Sequence, residues 1–197
     1  MNKYTKLVAI VFTISMFSGC SIKHVVSNDY QKYLKNNEGS YKFPKTTCKA
    51  QYILTQNTID HNYKFRSAMV GSAHVWVVKF GEMLEKTLES KDVKDAFAKL
   101  SKVTSKVGKD TIVIKYDLVD YKFEGFEARV KLKISVLKND SIVFEKEYYE
   151  KGISQGGKMF FTGSFGMKNA IQQSTKSAID KIFNKFLLDI NSKNICS

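Results

Sequence analysis

From Phe126 to Val136 every second residue is apolar: Phe126, Ala128, Val130, Leu132, Ile134 and Val136 alternate with Glu127, Arg129, Lys131, Lys133 and Ser135. A two-residue period belongs to a strand with one dry face and one wet face, and it does not fit a helix. Ile112, Ile114, Tyr116 and Leu118 set the same period before this run, and Ile142, Phe144 and Tyr148 continue it afterwards. Glu124-Gly125 and Asn139-Asp140 stand between the runs as two-residue hairpin turns. The expected unit is a three-strand antiparallel meander whose dry face needs a cover.

Two stretches can supply it. Phe80, Met83, Leu84, Thr87 and Leu88 recur at helical spacing. So do Ile171, Thr175, Ala178, Ile179, Ile182, Phe183, Phe186, Leu187 and Ile190, opposite Lys176, Asp180, Lys181, Lys185 and Asp189. The fold class is therefore α+β: an antiparallel sheet with a three-strand meander and two main amphipathic helices on one face, in strand-helix-strands-helix order. Residues 48–55 read as a further strand. Residues 92–103 fit a helix through Val93, Phe97 and Leu100, or a short edge strand.

The start of the chain is of another kind. Lys3 and Lys6 precede an apolar run from Leu7 to Phe17, and Ser18, Gly19 and Cys20 close it, which is the layout of a cleavable secretory signal. A membrane-spanning helix needs roughly 20 apolar residues, more than this run holds. Phe17-Ser18-Gly19-Cys20 resembles the lipobox of bacterial lipoproteins, where cleavage leaves a cysteine bearing diacylglycerol and an N-acyl chain such as palmitate. That resemblance divides the chain into a signal peptide at 1–19, a lipidated N-terminus and tether at 20–47, and one globular domain at 48–197. As a flexible coil the tether would reach roughly 25 to 30 Å, although Tyr30, Tyr33, Leu34, Tyr41 and Phe43 could lie against the domain.

Loss of Lys3 and Lys6 lowers the formal charge from +13 to +11. An exported chain of this charge meets anionic lipid, lipopolysaccharide or acidic proteins rather than nucleic acid. Lysine serving simply as the common surface residue explains the composition equally well. Lys115, Arg129, Lys131 and Lys133 share the outward face of the meander, as a solvated face or an anionic-surface contact. Cys48 and Cys196 remain once Cys20 is acylated, and an oxidising compartment permits them to pair.

Sites of chemistry are sparse. His24, His61 and His74 match no metal-ligand spacing, and no Gly-x-Ser-x-Gly elbow occurs. Gly152 to Lys158 fits a phosphate-binding loop except that Met159 replaces the required Ser or Thr, and it follows a strand of the meander. This stretch reads as a loop that continues through Met159, Phe160, Phe161 and Phe165, either capping the core or offering a partner or lipid contact. Trp76 reads as a core anchor. Neither an enzyme nor a cofactor is expected beyond the covalent lipid on Cys20.

The order of lipidated cysteine, tether, strand, helix, short strand, meander and long terminal helix resembles small envelope lipoproteins of the ABC-transport auxiliary type and the related YajG-like group. Trp76 ahead of the first helix, the pair of strands at 111–123 and 126–137, and the helix at 167–190 carry the resemblance, and this chain is more basic and poorer in proline. It implies a non-enzymatic accessory or binding component of an envelope transport or assembly complex, with envelope proteins as partners. Ser21, in place of Asp after the cysteine, implies an outer-membrane anchor facing the periplasm. A surface-exposed structural or adhesive lipoprotein that binds envelope or host polymers is the alternative.

Overall fold

The computed structural model describes residues 21–67, 71–103 and 112–196, without the side chains of 158–165. Its elements are β1 (Ile22–Val25), α1 (Tyr30–Asn36), β2 (Lys49–Leu54), α2 (Gln56–Asp60), β3 (Tyr63–Phe65), β4 (His74–Val78), α3 (Phe80–Leu88) and α4 (Lys91–Lys94). Then come β5 (Lys99–Lys102), β6 (Ile112–Glu124), β7 (Glu127–Lys138), β8 (Ser141–Lys151) and α5 (Gly156–Ser192). A five-stranded sheet runs in the order β5-β2-β6-β7-β8, and a second sheet in the order β1-β4-β3. The class is α+β, but the main sheet is mixed rather than purely antiparallel. β2 lies parallel to both β5 and β6, because the chain leaving β2 passes through α2, β3, β4, α3 and α4 before it returns. Parallel neighbours require a crossover of that size.

The meander is present, β6 and β8 flanking β7 in antiparallel register. Ala128, Val130, Leu132, Ile134 and Val136 are all at most 1% exposed. Two bulges alter the simple alternation. Leu118 faces Leu132 and Asp120 faces Lys131, so Val119 is the extra residue, and the inward set changes from Ile114, Tyr116 and Leu118 to Tyr121 and Phe123. Val136 faces Phe144 and Leu137 faces Ile142. That second shift turns Ile142 outward to 60% exposure, away from the dry face on which its spacing had placed it with Phe144 and Tyr148. The first hairpin turn is Gly125-Phe126, one residue later than expected. Both residues have φ near 60°, as do Asn139 and Asp140 in the second turn, which matches the twist of the flanking strands.

On α3, Phe80, Met83, Leu84, Thr87 and Leu88 are buried as expected. On α5, Ile171, Ala178, Ile179, Ile182, Phe183, Phe186, Leu187 and Ile190 are at most 1% exposed. Phe183 meets Tyr116 edge-on at 5.6 Å, and Phe186 lies 6.2 Å from Phe144. The stretch read as a loop up to Gly166 is helical from Gly156. Once the packed half of α5 is formed, each added residue gains a hydrogen bond without a new nucleus, and this outweighs the poor propensity of its glycines. In residues 92–103 only the last turn of α4 is helical, and Leu100 lies in β5, the edge strand, rather than on a helix with Val93 and Phe97.

Residues 21–47 contribute to the core. Tyr30 and Leu34, one turn apart on α1, are buried together with Val26 in the turn before it, and Phe43 sits edge-on to Phe183. The Tyr30 hydroxyl bonds the Thr87 hydroxyl at 3.1 Å, and Gln172 Nε2 donates to the Val26 carbonyl at 2.8 Å. A disulfide joins Cys48 to Cys196, with Cα atoms 4.9 Å apart, and so ties β2 to the end of the chain.

Candidate functional site

The first described residues enter the fold at once. The Ile22 amide donates to the Ala73 carbonyl at 2.9 Å, and β1 runs parallel to β4 with His24 opposite Trp76. The His24 ring stacks on Trp76 at 4.3 Å, and its Nε2 lies 2.7 Å from His74 Nδ1. A nitrogen-to-nitrogen hydrogen bond needs one donor and one lone pair, so at least one of these imidazoles is neutral while the bond exists. Burial, then His74, then Lys168 push the His24 pKa down. Trp76 is 1% exposed, with its indole N–H unpartnered among the described residues.

Between the loop after α1 and α4 lies a cleft of about 560 Å³, lined by Tyr41, Phe43, Lys45, Asp92 and Asp95 among others. A smaller hollow of about 200 Å³ shares Glu38, Lys91 and Asp92 with it and reaches Lys176 on α5. The Lys176 ammonium bonds Asp180 Oδ2 at 2.6 Å, with both side chains no more than 7% exposed. Desolvation raises the Asp180 carboxyl to about 6 against the pull of Lys176. Both residues read in the sequence as outward-facing, but α1, 140 residues earlier in the chain, places Leu34 and Lys35 over this part of α5. Aromatic walls with interleaved acids and bases suit an amphipathic protein segment better than a bulk anion.

The other residues singled out by sequence fall in different places. Cys20 lies outside the described residues. The side chains of Met159, Phe160, Phe161 and Phe165 do too, and their backbone belongs to α5 rather than to a loop. Arg129 contacts Glu124 at 3.0 Å and Glu127 at 3.3 Å, and Lys131 contacts Glu147 at 2.6 Å. Lys133 stands between Asp117 and Glu147 in the register, and Lys115 stands opposite Ser135. The apparent basic stripe is thus interleaved with acids from neighbouring strands, which one strand read alone cannot reveal. The pairing of His24 with His74, fifty residues apart, had no sequence signal. The i,i+4 spacing of Lys176 and Asp180 was legible, though their burial was not.

The fold and site together define a small α+β domain whose N-terminal strand is built into a secondary sheet. No family model matches the chain, and no curated protein does. Among solved structures it is similar to a Xanthomonas campestris protein of the DUF330 family, with 12% identity and a TM-score of 0.49 over 77% of this chain and 90% of that one. It is also similar to a chain described only as an uncharacterized protein, with 9% identity and a TM-score of 0.42 over 74% and 96% of the two chains.

Proposed function

We propose that this protein is a lipid-anchored, non-catalytic accessory subunit of an envelope transport or assembly complex, held to the outer membrane through acyl chains on Cys20. The observation that carries the reading is the position of β1. The chain joins a sheet two residues after the lipobox-like cysteine, so an acylated Cys20 and the folded domain would move as one body. Among the described residues no helix is long and apolar enough to cross a membrane, and a multiply acylated Cys20 would suffice to hold the chain on a bilayer. The cleft between the loop after α1 and α4 is the surface offered to a protein partner.

The reading is tested by crosslinking the tagged protein in envelope membranes and purifying it beside a Cys20→Ala control. Co-purification of transporter or assembly subunits, lost in the control, is the expected result. A protein recovered from membranes without partners, and cleaved by protease added to intact cells, would instead indicate the surface-exposed adhesive role.

A further inference from the structure

The sheet β1-β4-β3 differs in charge from the rest of the molecule. No Asp or Glu occurs from Ser21 to Asn28 or from His61 to Gly81, the segments that supply all three strands. Lys23, Lys64 and Arg66 are exposed on them. Among the described residues none of the three forms an ion pair, and Arg66 donates only to the Ser72 carbonyl. Lys23 lies opposite Val75 and Lys64 opposite Val77, which puts both lysines on one face. Of the neighbouring acids, Asp29 is engaged by Lys168 and Glu82 by Lys79, while Asp60, just before β3, is exposed and accepts from Gln56.

Only Ser21 separates Cys20 from the fixed Ile22 amide, so their α-carbons are at most about 7 Å apart. That is about the depth of one headgroup layer, and Ile22, at this end of the sheet, is 51% exposed.

We propose that the β1-β4-β3 sheet docks on the anionic surface of the bilayer that holds Cys20, through Lys23, Lys64 and Arg66. The proposal rests on acylation of Cys20. The domain then lies directly on the headgroups, and the acid-interleaved face of the meander plays no part. Each basic residue strengthens the contact roughly fivefold at low ionic strength, and salt weakens it.

The test uses the full-length lipoprotein purified from membranes, with Cys20 acylation read by mass spectrometry in the same sample. Fluorophores are placed at Asn62→Cys, beside β3, and at Asp140→Cys, at the distant hairpin tip. The protein is reconstituted in phosphatidylcholine vesicles with or without phosphatidylglycerol, both carrying a headgroup nitroxide. Quenching at position 62 is expected to exceed that at 140 several-fold in the anionic vesicles. It should fall toward the neutral-vesicle level at high salt and in Lys23→Glu/Lys64→Glu/Arg66→Glu. An acylated protein whose two positions are quenched alike, or whose quenching ignores lipid charge and the three substitutions, overturns the docking and leaves the anchor standing. An unmodified Cys20 overturns both.

Discussion

The Lys176 ammonium and the Asp180 carboxylate form an ion pair at 2.6 Å one turn apart on α5, out of water beneath α1. Burial holds the Asp180 carboxyl at about 6, above its value in an unfolded chain. Between those two values the folded protein binds a proton that the unfolded chain does not, so this group adds stability as pH falls through 6 toward 4 and withdraws it as pH rises. Most carboxylates in ion pairs behave in the opposite sense. The unfolding free energy of the wild type relative to Lys176→Met/Asp180→Leu should therefore increase by roughly 3 kcal/mol at most from pH 7 to pH 4. A flat difference across that range in urea titrations would contradict the assignment. Asp180→Asn holds this position in the neutral form and should abolish the gain toward pH 4, leaving a difference from the double substitution that is flat across the range.

The Cys48–Cys196 bond spans a sequence separation of 148 residues. Closing so long a loop restricts the unfolded chain, and the chain-entropy model gives about 5 kcal/mol of stabilisation. Cys48→Ser/Cys196→Ser should lower the urea midpoint accordingly while the far-ultraviolet circular dichroism of the folded state stays unchanged. An unaltered midpoint would mean that the bond constrains nothing the fold does not already fix.

Gly152 marks a close approach of chains. A Cβ there would stand 1.9 Å from the Ser174 carbonyl oxygen, a backbone atom of α5 that cannot rotate away. The same junction is held by the Gly152 amide donating to the Ala128 carbonyl and the Ala128 amide donating to the Ser174 hydroxyl, both at 2.8 Å. Gly152→Ala should destabilise the protein by about 3 kcal/mol or more. Gly157→Ala, where nothing lies within 4 Å, should stabilise it by up to about 1 kcal/mol. Thermal melts of the two variants, read side by side, separate the close contact from a general effect of removing glycine.

Acid should loosen β1. The His24 pKa is pushed down by burial, by His74 and by Lys168, so the folded state binds fewer protons there than the unfolded chain. Its contribution is present above the ordinary histidine range and is lost as pH falls through the folded value. Amide exchange at 22–25, corrected for its intrinsic pH dependence, should accelerate relative to β7 between pH 7 and pH 5. His74→Gln should flatten that change, and equal behaviour in β1 and β7 would remove the histidine pair as its source.

Long elements with an unbroken period were readable from the residues alone. The inward faces of β7, α3 and α5 each depend on one repeating interval and on burial that any covering layer would provide. Features set by partners distant in the chain were not readable. β1 and β3 have four and three residues, too few to show a period, and the parallel pairing of β2 depends on where a crossover of about 45 residues returns. The bulge at Val119 did leave a trace, since the apolar positions change from even to odd at Tyr121. The acids that answer the basic face were hidden for a related reason. Lysines on one strand are visible in sequence, whereas the glutamates that answer them belong to adjacent strands in a register that only the fold supplies.

The central claim is that Cys20 is an acylated N-terminus placed two residues before a strand of the fold. Mass spectrometry of the N-terminal peptide, taken from protein extracted out of envelope membranes, tests it most directly. A mature chain beginning at Cys20, with a diacylglycerol thioether and an amide-linked acyl chain, is the expected result. A chain that begins elsewhere, or an unmodified Cys20 on protein recovered in the soluble fraction, would contradict it.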